Sequence, residues 1–395
     1  MRATFLTMPR PGPKRHALYA ILLLVAVAGI WYLRGVEEGQ NHGQKDGRWN
    51  YYRPSVPLRD LIPATKPNST SSRQPKMLIL DGPYTPKLFA AQPELYTVAV
   101  QVEQGQTTDD FKKIKKSSPY AELLFFINSP SNDFFEIFRP ENISDLRLMP
   151  KSAYTKEWNT FVPRDDAFHA RLWAGSRMIG CLNLTIIRNT TEPPNIIPED
   201  VYWLSVVRDL HFEYRALPFL NGGTLLGWRR ECTVIPHTRD MDLATFEDEF
   251  PMALVDDSIN MTGKPLQLAR IIGWPGDSYE ATFWAKTGRG KSFAIDMFTM
   301  YRDPKQRKCY TTLIISQSKS VHAKYREEYP WFEADFCTAN LHGYVFHVPC
   351  DPDALLEADY GKDWTVDRPT KVYSYGHNVV PNDNFRINDS TFIRF

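Results

Sequence analysis

The sequence predicts a mixed α/β (α+β) protein, and three observations carry that reading. Short apolar runs bounded by turn residues, such as Met77–Asp81 and Leu123–Ile127, read as buried strands. The stretch from Tyr202 to Leu217 places Leu204, Val207, Leu210, His211 and Tyr214 at helical spacing, which predicts an amphipathic helix. Hydrophobic residues make up 43% of the chain and charged residues 24%, a globular balance that excludes a mainly disordered or fibrous protein. With 395 residues, a prior of roughly 150 residues per domain gives about two to three units. The 47 basic and 46 acidic residues leave a net charge of +1, so bulk charge gives no support for a nucleic-acid partner.

Taken in order, the chain opens with a membrane address. Residues 1–15 carry Arg2, Arg10, Lys14 and Arg15 and no acid, and Ala17 to Leu33 then runs without a charge. That span sits at the lower edge of what crosses a bilayer, with Tyr19 near one end and Trp31 and Tyr32 at the other as interfacial anchors. The basic flank precedes the span and Glu37 and Glu38 follow it, so the positive-inside rule predicts a cytosolic tail (1–15), a signal-anchor helix (16–34) and a lumenal remainder. A cleaved signal peptide is the competing reading, because Ala26-Val27-Ala28 has the small residues of a cleavage site. Sequons at Asn68, Asn142, Asn183, Asn189, Asn260 and Asn388 and the five cysteines all follow the span, as a Golgi or ER lumenal location requires. Five cysteines leave one free or intermolecular; the pairing is not readable from sequence, and Cys337 with Cys350 is the one guess.

Residues 35–76, rich in Gly, Pro, Ser and Asn, read as a stem. Met77–Asp81, Tyr96–Gln101 and Leu123–Ile127 then predict a smaller lumenal α/β domain over 77–197, with Lys112, Lys113, Lys115 and Lys116 on a solvated helix face. Pro193, Pro194 and Pro198 mark its end. The Tyr202–Leu217 helix opens a second domain, 198–395, which holds the chemistry.

In the segment from Pro218 to Phe246, Gly222 and Gly223 predict a tight turn with close backbone approach, and Thr224 a cap for a helix starting at Leu225. Backbone N–H groups at such a turn suit a phosphate. Asp240 and Asp242 alternate along an extended run, so both carboxylates face one side and can share a hard divalent cation. A third ligand is expected on a neighbouring strand. Asp296, alone among the apolar and aromatic residues of Ser292–Tyr301, is the candidate; a structural acid paired to an arginine is the alternative. Just upstream, Ala285–Ser292 fits a loosened P-loop pattern, but its flanks are strand-like on both sides, so Thr287–Gly290 reads as a hairpin turn and not an ATP site.

Gly222-Gly223-Thr224-Leu225-Leu226-Gly227, Arg230, Ile235-Pro236 and Asp240-Met241-Asp242, closed by Val348-Pro349, Tyr360-Gly361 and Trp364, resemble the LicD/fukutin family over roughly residues 200–365. The resemblance implies a nucleotidyltransferase-like fold, and the anchor, stem and preceding domain resemble the fukutin layout. It implies Mg²⁺ or Mn²⁺ on Asp240, Asp242 and Asp296, and a CDP-linked donor bound near Gly222, Gly223, Thr224 and Arg230. Arg230 offers forked donors to phosphate oxygens, or simply caps its helix. The implied reaction is transfer of a phospho-alditol, with ribitol 5-phosphate as the first expectation and phosphocholine as the second, to a sugar hydroxyl of a glycoprotein, with Asp242 or Asp296 as the proton acceptor. A non-catalytic scaffold for other Golgi glycosyltransferases and a secreted lectin-like protein are the readings from other classes. Thr238 and Arg239 stand where bacterial members carry acids, so two further metal ligands are absent.

Overall fold

The runs read as strands at the start of the body join one seven-stranded sheet in the computed structural model, which describes residues 54–63, 76–82, 84–102, 108–188, 193–261, 264–287, 289–318, 321–333, 335–368, 379–381 and 392–394. The predicted tail and anchor (1–34) and most of the stem lie outside the described residues. Among the described residues, no helix is long and apolar enough to cross a membrane. Three of the six sequons, Asn142, Asn183 and Asn260, fall within them, and all three are exposed.

A one-turn helix, α1 (Leu58–Leu61), precedes the first sheet. The sheet is ordered β5-β4-β3-β2-β1-β7-β6. Its strands are β1 (Met77–Asp81), β2 (Thr97–Gln101), β3 (Glu122–Ile127), β4 (Phe134–Arg139), β5 (Asn142–Pro150), β6 (Tyr154–Glu157) and β7 (Thr160–Pro163). Leu123, Leu124, Phe125 and Phe126 are all buried because both faces of β3 are covered. On one face, Ile79, Val98 and Phe125 meet residues of α2 (Pro86–Ala91) and the lysine-bearing α3 (Thr108–Lys116). On the other, Leu78, Leu80, Leu124 and Phe126 join a core that continues into the rest of the chain. A further helix, α4 (Asp166–Ala174), is capped by Asp165, whose carboxylate accepts from the Phe168 N–H.

The helix predicted from Tyr202 to Leu217 is α5 (Val201–Glu213), and its burial differs from expectation. An amphipathic helix keeps one wet face, but here Val201, Leu204, Val207, Arg208, Leu210, His211 and Phe212 are all buried. The helix is enclosed by both halves of the body. Arg208 is tolerated inside because Asp133 of the first half (2.7 Å) and Asp209 (2.6 Å) pair with it, and its guanidinium donates to the Val345 carbonyl at 2.5 Å. The prolines at 193–198 therefore separate two sheets that share one core.

The second sheet runs β15-β16-β8-β9-β12-β11-β10-β18, with β13, β14 and β17 continuing from β12. Its strands are β8 (Phe219–Leu220), β9 (Asp240–Phe246), β10 (Leu266–Ile272), β11 (Glu280–Lys286), β12 (Ser292–Asp303), β13 (Lys308–Ser318), β14 (Val321–Pro330), β15 (Phe336–Leu341), β16 (Tyr344–Pro349), β17 (Val379–Pro381) and β18 (Phe392–Arg394). Helices α6 (Gly222–Glu231), α7 (Met252–Ser258) and α8 (Pro352–Tyr360) accompany it. The P-loop lookalike is the β11–β12 hairpin, closed by Thr287 N–H to Lys291 O at 2.6 Å. Cys337 of β15 pairs with Cys350 just past the end of β16, Cys181 pairs with Cys232 at the end of α6, and Cys309 is the free, buried thiol.

Candidate functional site

The site is made by the register of two parallel strands. β9 lies beside β12 with Asp242 opposite Asp296 and Asp240 opposite Ala294. Met241 and Leu243 alternate inward with Ile295 and Met297 and are buried, which turns the three aspartates to the other face. Carboxylate oxygens of Asp240, Asp242 and Asp296 fall within 4.8 Å of one another. The carboxylate expected from sequence on the neighbouring strand therefore stands beside the other two.

Helix α6 closes over this cluster, and it starts earlier than the sequence implied. Gly222, not Leu225, is its first residue, following an extended Asn221. Gly222 takes φ +50°, a left-handed bend that glycine makes without steric cost, and the chain turns there from extended Asn221 into the helix. A Cβ at Gly222 would stand 3.2 Å from Asp242 Oδ2, and one at Gly223 3.5 Å from it. Thr224 is consequently inside the first turn rather than a cap. Its N–H donates to Asp242 Oδ2 at 3.3 Å and its hydroxyl accepts from the Asp242 N–H at 2.7 Å. Thr224 thus fixes a carboxylate of the cluster.

Each of the other two aspartates is also held. Thr238 donates its hydroxyl to Asp240 Oδ1 at 2.6 Å. Asp296 Oδ1 accepts from the Thr282 hydroxyl and, at 3.4 Å, from Arg270. Arg270 also donates to Glu280 at 2.8 Å and to the Thr282 hydroxyl at 2.8 Å. Arg270, Glu280 and Thr282 were not singled out from sequence. The available signal was the pair Glu280 and Thr282, polar residues two apart in a strand-like run otherwise dominated by apolar and aromatic residues.

Burial, followed by the charges of Asp240 and Asp296, raises the Asp242 carboxyl well above the usual carboxylate range. Burial also raises Asp296, against the lowering effect of Arg270 and Thr282. Burial and Asp296 likewise raise Glu280. Carboxylates this close resist ionising together unless a cation joins them. Three converging hard oxygen donors suit Mg²⁺ or Mn²⁺. One residue before Gly222, the buried Asn221 Oδ1 finds no hydrogen-bond partner among the described residues, which leaves an acceptor for a bound group at the start of α6.

Arg230 stands apart from this cluster. It lies at the far end of α6, about 12 Å along the axis from Gly222 at ~1.5 Å per residue. Its buried guanidinium bonds Glu231 at 2.6 Å, Asp367 at 3.0 Å and the Trp364 carbonyl at 3.4 Å. Arg188 completes the network, reaching Glu231 at 2.6 Å and Asp367 at 2.8 Å. The geometry gives Arg230 a structural partner set in place of the expected phosphate contact, because its fork is already filled by two carboxylates.

The LicD/FKTN/FKRP nucleotidyltransferase domain matches residues 218–351. Uncharacterized protein T07A5.1 of Caenorhabditis elegans is 34% identical over 277 residues, covering 67% of this chain and 72% of that protein. Uncharacterized protein W02B3.4 of the same organism is 35% identical over 266 residues, covering 66% of each. The human ribitol-5-phosphate transferase FKTN is 29% identical over 177 residues, covering 44% of this chain and 35% of the human protein. The matched span contains all three aspartates and the glycine-opened helix that holds Asp242. With the domain match spanning this site and two thirds of its length matched to T07A5.1, the chain belongs to the LicD/fukutin family.

Proposed function

We propose that the protein is a lumenal, membrane-anchored glycan phosphotransferase of the Golgi or ER. In a metal-dependent reaction it moves a phospho-alditol, ribitol 5-phosphate-like, from a CDP-linked donor to a sugar hydroxyl of a glycoprotein. The observation that carries this reading is the convergence of Asp240, Asp242 and Asp296 within 4.8 Å beside a helix opened by two glycines. The domain match and the name of the human relative support the transferase class and the ribitol donor.

Asp240, Asp242 and Asp296 would hold Mg²⁺ or Mn²⁺, which when bound neutralises a pyrophosphate and orients it for in-line attack. Thr238, Thr224 and Thr282 each fix one of these carboxylates, so the ligand set is ordered in advance. Gly222 and Gly223 keep the Asp242 side of the site free of side-chain bulk, and the first turn of α6 favours negative charge there. As the acceptor hydroxyl oxygen bonds the distal phosphorus, the bond from that phosphorus to the bridging oxygen breaks and CMP departs. The hydroxyl proton passes to a carboxylate of the cluster.

The test is CMP release by the detergent-solubilised full chain with CDP-ribitol, CDP-glycerol or CDP-choline, each with a glycopeptide acceptor and with or without Mn²⁺. Metal-dependent CMP release that disappears in an Asp240→Asn, Asp242→Asn double variant is expected. Release unchanged in that variant, or absent with every donor, would refute the assignment. Retention in the pellet on carbonate extraction checks the anchor.

A further inference from the structure

The aspartate-bearing face of the second sheet carries an aromatic side chain that the site as described does not use. Trp284 of β11 is 48% exposed, whereas its neighbour Phe283 is buried. A single exposed apolar side chain is ordinary by itself; what distinguishes this one is its place on the face that carries the aspartates.

Strand register fixes where this indole stands. Trp284 pairs with Ala294, and Ala294 pairs with Asp240. The adjacent row on the same face is Thr282, Asp296 and Asp242, and the Thr282–Asp296 hydrogen bond confirms that these side chains share a side. Two inter-strand steps separate Trp284 from Asp240, about 10 Å at ~4.8 Å per step. The residue between them is an alanine, whose methyl group makes a low floor between an acidic wall and an aromatic one. The trough opens past Lys286 and Ser292, both exposed, toward the hairpin turn.

A nucleoside monophosphate unit has this shape and this distribution of chemistry. Its phosphate belongs beside the carboxylates and their cation, its ribose over a small residue, and its planar base against a flat aromatic face. A linear alditol has no planar face to offer. We infer that Trp284 is the stacking platform for the cytosine ring of the donor, with Ala294 as the floor beneath the ribose. This inference rests on the CDP-dependent reading above and names the part of the site that recognises the nucleoside. Stacking accounts for binding but tolerates any base, so selection of cytosine over other bases lies with groups other than the indole.

Isothermal titration of the solubilised full chain in Mn²⁺, with CMP and with ribose 5-phosphate as probes, tests the assignment. Trp284→Ala and Trp284→Leu should weaken CMP binding by roughly ten- to a hundredfold, the range of one lost base stack. They should leave ribose 5-phosphate binding unchanged, and Trp284→Phe should stay within a few-fold of wild type. Equal CMP affinity in wild type and Trp284→Ala would overturn the platform while leaving the phosphotransferase reading standing. A parallel loss on both probes, or a raised KM for the sugar acceptor with unchanged CMP affinity, would overturn it too. A wild-type chain that binds no CMP takes down both.

Discussion

Replacing Asp240 by asparagine should make the metal-free protein more stable while removing its response to metal. The side chain keeps its shape, and the Thr238 hydroxyl that donates to Oδ1 at 2.6 Å keeps an acceptor. What changes is charge. Two carboxylates whose oxygens lie within 4.8 Å of each other repel by about 3.5 kcal/mol or more at an effective dielectric constant near 20. Asp240 faces two such neighbours, but burial raises both of their carboxyls and so removes part of that charge in the absence of a cation. Relief of about 1–3 kcal/mol is therefore expected, or roughly 2–6 °C in Tm for a body of this size. In the wild type, Mn²⁺ at a hundred times its Kd should stabilise by about 2.7 kcal/mol, and the variant should lose most of that gain. Differential scanning fluorimetry in EDTA and across a Mn²⁺ series reads both effects on one sample. A variant that melts below wild type in EDTA, or that gains as much from Mn²⁺ as wild type does, would refute the account of the cluster as a repulsive set awaiting a cation.

Three further perturbations separate structural roles from chemical ones. Gly222→Ala puts a methyl group 3.2 Å from Asp242 Oδ2 at φ +50°; strain of about 1–2 kcal/mol and a tenfold or greater fall in kcat are expected, read by melting and CMP release. Arg230→Ala leaves Glu231 and Asp367 to Arg188 alone, and should cost about 3–5 kcal/mol of stability with the donor KM unchanged in the folded fraction. His347 is buried with neither ring nitrogen partnered among the described residues, and burial with nearby Arg208 and Arg171 pushes its pKa down to about 3. Its folded pKa lies below the ordinary value of about 6.5, so the unfolded chain takes up a proton that the native protein refuses. Stability from this group is complete above that value and falls as pH drops from 6.5 toward 3. His347→Leu should therefore stabilise by about 1–3 kcal/mol at pH 7.5 and by about 1.3 kcal/mol more at pH 5.5, as urea titrations at the two pH values will show.

The sequence alone placed the local elements and named the three carboxylates, because each depends on short-range patterns. The apolar runs became β1, β2 and β3, the Thr287–Gly290 turn became a hairpin, and the alternation of Asp240 and Asp242 put both on one face. Asp296 was legible because an acid within an apolar strand is costly without a partner. Tertiary structure decided what depends on which strand lies beside which. Only the parallel register of β9 and β12 sets Asp242 opposite Asp296, and only the next strand over supplies Thr282 and Arg270 and turns Trp284 toward the same trough. It also moved the start of α6 to Gly222 and gave Arg230 to Glu231 and Asp367, because a guanidinium is claimed by whichever carboxylates the fold brings within reach. Spacing along a chain fixes direction within one strand or helix. Distances between residues far apart in sequence are set by packing, and a metal site is made of those distances.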